Sequence, residues 1–212
     1  MKIKFKKYWR KTSLKKAADA NFLLKHIEKA KPKNFLEIGV FHGVTSRNVC
    51  EILSLLHGND FKFTGIDLFS NDSELLKNEY IPNTSFSNPL KTIYYKYIIR
   101  RDPYSLESVN KLLKKFEKNV NIIMGNSNEI LKKIDLNKVE YVFLDGGHSY
   151  ETVKKDLDIL SKVINNNGII LCDDYNLTYA PGVKKAIDEY VLKNHFNLNI
   201  LNYRFAEITK KI

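Results

Sequence analysis

The sequence predicts an α/β fold, a layer of largely parallel strands with helices packed against it. Three observations predict it. From residue 34 onward, short β-type runs alternate with stretches whose apolar residues recur at helical spacing, as successive βαβ units require. The helical stretches each carry one apolar stripe, the mark of a helix lying on a core. Several strand-type runs end in a glycine or an acid just where a helical pattern begins.

In chain order, a helix is expected over residues 13–30, ending before Pro32 because the residue preceding a proline disfavours helical backbone. Strands are expected over 34–39, 61–67, 121–125, 141–145, 168–173, 198–202 and 204–209. Between them lie stripes formed by Val49, Ile52, Leu53 and Leu56; by Val153, Leu157, Leu160 and Ile164; and by Val183, Ile187, Tyr190 and Val191. Each reads as a core face. The connection over residues 68–120 is longer than a crossover needs, since a dozen or more residues suffice. Its later part, 105–118, has a helical pattern; its earlier part holds Tyr80, Pro82, Phe86, Pro89, Tyr94, Tyr95 and Tyr97. An aromatic insertion beside strand ends reads as a lid or substrate loop, with surface decoration as the alternative.

With 212 residues, 43% apolar and 28% charged, the chain fits one folded domain over 1–212. No repeat or Pro/Gly/Ser linker divides it. No apolar run approaches the ~20 residues of a membrane span, and no secretory signal pattern is present, so a cytoplasmic address is expected. Cys50 and Cys172 sit in apolar periodic segments and read as buried thiols rather than a disulfide or zinc site. The net charge of +11 is partly local: residues 1–16 carry eight basic side chains and no acid. Such a surplus attracts polyanions, but a Lys- and Asn-rich composition explains it as well, so nucleic acid is not the expected partner.

Four constellations carry the chemistry. In the first, Glu37, Gly39 and Gly43 stand in an E-x-G-x-x-x-G pattern where a strand turns into a helix. The glycines allow a ligand close to the backbone, and the helix N-terminus presents N–H groups. Phe41 stands where a dinucleotide-binding loop has its middle glycine, which argues against NAD or FAD. In the second, Asp67 ends the next strand, where a carboxylate can accept hydrogen bonds from a ribose diol; a helix cap is the plain alternative. In the third, Ser127 follows Gly125 and Asn126 at the start of a helix, either capping it or edging an adenine ring. In the fourth, Asp145, Gly146, Gly147 and His148 end one strand, and Asp173 and Asp174 end the next. In a parallel sheet these ends share one edge. Three converging carboxylates need a cation or protons to offset their repulsion, and oxygen ligands suit Mg²⁺, Mn²⁺ or Ca²⁺.

Together these residues resemble class I S-adenosylmethionine-dependent methyltransferases, most closely the subgroup with D-G-x-H-x-Y after the fourth strand and D-D-Y after the fifth, itself similar to metal-dependent catechol-type and macrolide-sugar O-methyltransferases. The resemblance spans about residues 34–190, with residues 1–30 and 68–120 outside it. It implies a Rossmann-like three-layer sandwich whose seven-stranded, mostly parallel sheet has the order 3-2-1-4-5-7-6, with the insertion between strands two and three. It implies that Glu37, Gly39 and Gly43 border the methionine part of S-adenosylmethionine, that Asp67 holds the ribose, and that Asp145 flanks both cofactor and metal. It places Asp145, Asp173 and Asp174 at metal-ligand positions, with Mg²⁺ expected. Catechol-type relatives have Asn at the third of these, so Asp174 makes the set more anionic. His148 occupies the offset of a catalytic Lys and could take the proton of an acceptor hydroxyl near neutral pH; a loop-stabilising His is the alternative. The expected partner is a small hydroxylated acceptor, a sugar or catechol-like alcohol, and a homo-oligomer stays open. The competing readings are a metal-free RNA or protein methyltransferase and a non-catalytic module on the same fold.

Overall fold

The computed structural model describes residues 4–70, 86 and 88–211. Seven strands form one sheet: β1 (Asn34–Ile38), β2 (Lys62–Asp67), β3 (Val120–Met124), β4 (Tyr141–Leu144), β5 (Ile169–Cys172), β6 (Asn197–Leu201) and β7 (Phe205–Thr209). Their order is β3-β2-β1-β4-β5-β7-β6, as expected. The first five are mutually parallel, while β7 runs antiparallel to both β5 and β6. The residues expected to close several strands, Gly39, Gly125, Asp145 and Asp173, lie one step beyond them in the turns.

Alternation along the strands sorts the core onto two faces. Tyr141 and Phe143 of β4 point to one side with Phe35, Phe63 and Phe205. That side is covered by α1 (Ala17–Ala30), α2 (Val44–His57) and α4 (Leu106–Leu113). Val142 and Leu144 point to the other with Ile38, Ile170 and Cys172, under α6 (Tyr150–Val163) and α7 (Pro181–Asn194). Phe35 stacks on Tyr141 at 5.0 Å and on Phe63 at 5.7 Å between centroids, which welds three adjacent strands on one face. Cys50 and Cys172 are buried free thiols. No helix among the described residues is long and apolar enough to cross a membrane.

Two local departures matter for the site. The first helix starts at Ala17, not at residue 13. Residues 6–16 form a bent, non-helical strap, because Leu14 is buried in the core and Ser13 is tied to Asp145. The insertion contributes α3 (Pro89–Ile93), capped by the Asn88 side chain on the Leu90 N–H, which continues into a π-helical turn at Tyr94–Ile99. The helical pattern expected over 105–118 becomes α4, capped by Ser105, and a 3-10 turn at Lys114–Phe116. Tyr80 and Pro82 lie outside the described residues.

Candidate active site

Hydrogen bonds just beyond the strands bring the turns to one edge. Gly125 N–H donates to Asp67 O, Gly39 N–H to Ile66 O, Asp145 N–H to Ile38 O and Asp173 N–H to Leu144 O, each at 2.8 to 2.9 Å. The carboxyl ends of β3, β2, β1, β4 and β5 therefore open on a common crevice, the usual place for a ligand in an open α/β sheet. Gly39 has φ 94°. A Cβ there would stand 2.2 Å from the Asp145 carbonyl oxygen, so this approach of the β1 and β4 turns requires glycine. A cavity of about 620 Å³ fills the crevice, a volume suited to small molecules. Gly39, Asp67, Ser127, Asp145, His148 and Asp174 all line it.

Asp67 is held in place. Its Oδ2 accepts from Phe41 N–H at 2.7 Å, and its Oδ1 from Phe69 N–H at 2.8 Å and Tyr104 O–H at 3.0 Å. Burial raises its pKa, against the pull of those donors. Glu37 is fully buried behind the turn, away from the cavity wall, and accepts from the Ser46 hydroxyl in the first turn of α2. Burial pushes its carboxyl up to about 8. Gly43, the N-cap residue of α2 with φ 73°, likewise shapes the turn without lining the cavity. After β3 the cap of α5 (Ser127–Ile130) is Asn126, whose side chain accepts from Asn128 N–H at 2.9 Å. Ser127 instead donates to Asp156 at 3.0 Å.

Asp145, Asp173 and Asp174 come together, each offering a carboxylate oxygen within 4.8 Å of the others. They also meet a cation. Arg204, in the turn leading into β7, grips Asp173 with Nε and with Nη2 (2.7 Å to Oδ2), and Nη2 lies 2.9 Å from Asp174. Asn202 and Tyr203, both at positive φ, form the hairpin that delivers it. Tyr175 N–H fixes the Arg204 carbonyl at 2.9 Å. Asp173 has no exposed side-chain surface. Asp174 accepts from Tyr179 O–H at 2.8 Å and sits 2.9 Å from His148 Nε2. Ser13 O–H donates to Asp145 at 2.7 Å. Burial, then the charges of Asp173 and Asp174, hold Asp145 well above the usual carboxylate range. Burial also pushes Asp174 up, but the His148 hydrogen bond and the Arg204 charge outweigh it and leave its pKa lowered.

Sequence reasoning missed Arg204, Tyr104, Tyr179 and Ser13. Arg204 had a signal: a residue just before a strand antiparallel to β5 stands at the edge where β5 ends. The other three act across loops and left none.

A family model described as a methyltransferase domain matches residues 36–175. The chain belongs to this methyltransferase family. Its class is therefore the one expected from the strand ends, an S-adenosylmethionine-dependent methyltransferase. Uncharacterized protein R132 of Acanthamoeba polyphaga mimivirus is 34% identical over 56 residues, which cover 26% of this chain and only a quarter (25%) of that relative. The O-methyltransferase NovP superposes with a TM-score of 0.65 at 18% identity, over 90% of this chain and 80% of NovP. The S-adenosylhomocysteine-bound Podospora anserina methyltransferase PaMTH1 gives 0.59 at 17% identity, over 93% of this chain and 80% of that one. Identities this low speak for the fold.

Proposed function

We propose that this methyltransferase moves a methyl group from S-adenosylmethionine to a hydroxyl oxygen of a small acceptor, a sugar or catechol-like alcohol, as in the D-G-x-H-x-Y subgroup. The observation that carries it is the His148–Asp174 pair, lining one cavity with Asp67 and the Gly39 turn. The donor supplies the methyl and the leaving sulfur. Asp67 accepts from the ribose hydroxyls, Ser127 edges the adenine, and the Gly39 turn with Asp145 borders the methionine part. Glu37 and Gly43 hold the turn in shape. Asp174, 2.9 Å from His148 Nε2, orients the imidazole, and His148 takes the acceptor proton as the new C–O bond forms and the C–S bond breaks. The chain then needs mainly to align oxygen, methyl carbon and sulfur. The insertion, which reaches Asp67 through Tyr104, closes over the acceptor.

The donor set fits a divalent cation, Mg²⁺ in particular: three carboxylates converge, and all are oxygen ligands. Asp145, Asp173 and Asp174 would hold it, and it would lower the acceptor pKa. One observation favours a second, metal-free reading of the same reaction, because Arg204 already lies against Asp173 and Asp174.

Methyl transfer to alcohol acceptors, with and without EDTA, tests both. His148→Ala is expected to lose ~10²–10⁴ in rate and recover partly at high pH, where the acceptor ionises unaided. Unchanged turnover in that variant would remove the histidine from the reaction. Loss of turnover in EDTA, restored by Mg²⁺, selects the metal reading; full turnover selects the other.

A further inference from the structure

The strap over residues 6–15 is fastened along the crevice. Asn48 exchanges hydrogen bonds with the Lys6 backbone at 2.8 Å each. Arg10 donates to the carbonyls of His42 at 3.0 Å and Ser108 at 2.8 Å, and Ser13 ends the run on Asp145. So fixed, the strap lines the cavity with Lys7, Arg10, Lys11 and Lys15, and Lys91 of α3 joins them. Lys7 Nζ donates to the Lys15 carbonyl at 3.2 Å, which places its ammonium two residues from the serine that touches Asp145. Lys7 and Lys15 thus stand on the part of the strap that carries Ser13 to Asp145.

Among the described residues, none of Lys7, Arg10, Lys15 or Lys91 forms a salt bridge with a carboxylate. The described acids on the cavity wall, Asp67, Asp145 and Asp174, are engaged elsewhere. Burial, and after it the neighbouring Lys15 charge, lowers the Lys11 pKa, so like charges add to one another on this wall. The methyl donor does not offset them. Its sulfonium and ammonium outnumber its single carboxylate, so it brings net positive charge. A cleft lined by one sign of charge concentrates ligands of the other.

We propose that the methyl acceptor carries an anionic group, a phosphate or a carboxylate, seated by Lys7 and Lys15 with Lys91, which lines the same cavity. This rests on the methyltransferase reading of the cavity and adds the substrate's charge to it. A polyanion is the less favoured occupant, since the cations line a cavity of small-molecule size rather than an extended face.

Trp9 is the only tryptophan of the chain, and Lys91 Nζ lies 6.0 Å from its ring, so intrinsic fluorescence reports on the seat. The protein is saturated with S-adenosylhomocysteine, which fills the donor site, and titrated at constant ionic strength with inorganic pyrophosphate and separately with citrate. A saturable response to either supports the seat; pyrophosphate alone identifies phosphate as the group, citrate alone carboxylate. The Lys7→Ser/Lys15→Ser double variant should weaken that binding by roughly fivefold or more, with S-adenosylhomocysteine affinity by calorimetry changed less than twofold. No saturable response in the wild type overturns the proposal. So does equal affinity in the variant, or tighter binding of a single-stranded RNA 20-mer than of either small anion. Absence of S-adenosylhomocysteine binding would instead defeat the methyltransferase reading; pyrophosphate titrated into the unliganded protein then still decides the seat.

Discussion

Replacing Arg204 by Gln separates the two ways of balancing the acid cluster. The guanidinium is nearly buried, with 11% of its side chain exposed, and touches two carboxylates with 0% and 4% exposure. Removing one partner of so buried an ion pair costs about 3–5 kcal/mol, because the remaining charges are left uncompensated. For a chain of this size that lowers Tm by roughly 6–20 °C. The same substitution frees Asp173 for a metal. A dication sharing these carboxylates with Arg204 is repelled by several kcal/mol at an effective dielectric of ~20, so Mn²⁺ affinity is expected to rise at least about tenfold in Arg204→Gln. Calorimetric Mn²⁺ titration and thermal unfolding with and without the ion read both effects. At one hundred times its dissociation constant the ion returns about 2.7 kcal/mol of stability to the variant. A variant as stable as the wild type, or one that binds Mn²⁺ no tighter, would refute the view that guanidinium and metal compete for one cluster.

Asp67→Ala is expected to weaken S-adenosylhomocysteine binding by ~1–3 kcal/mol in calorimetry; unchanged affinity, or preference for NAD, would move the ribose elsewhere. Glu37 has its folded pKa raised by burial to about 8, so the native state holds a proton that the unfolded chain releases near pH 4.5. Stability should therefore fall by up to about 1.4 kcal/mol per pH unit between roughly pH 4.5 and 8 from this group and level off above. Glu37→Gln, which mimics the protonated form, should flatten that slope in urea unfolding across pH; an identical slope would mean the carboxyl is ionised in the fold.

The parts of this molecule that were legible in the sequence are those fixed by periodicity and topology. Stripes such as Val153, Leu157 and Leu160 identify a core face whatever the partners, and all three are buried. Parallel strands bring their carboxyl ends to one edge, so Asp67, Asp145 and Asp173 could be grouped before any distance was known. What escaped depends on contacts between segments far apart in the chain. Apolar spacing carries residues 13–16 into the first helix, but Leu14 sinks into the core and Ser13 reaches Asp145, so the strap stays out of the helix. Tyr104 meets Asp67 only because the insertion folds back over β2. Arg204 is the most telling case. From the sequence, three acids at one edge demand a cation or protons, and neither a metal nor a proton needs knowledge of the rest of the chain. Once β7 is known to run against β5, the residue entering β7 must arrive where β5 ends, and that residue is an arginine. The topology that gathers the acids thus also supplies their counter-ion, and a divalent cation would enter this site only in competition with a charge the fold already provides.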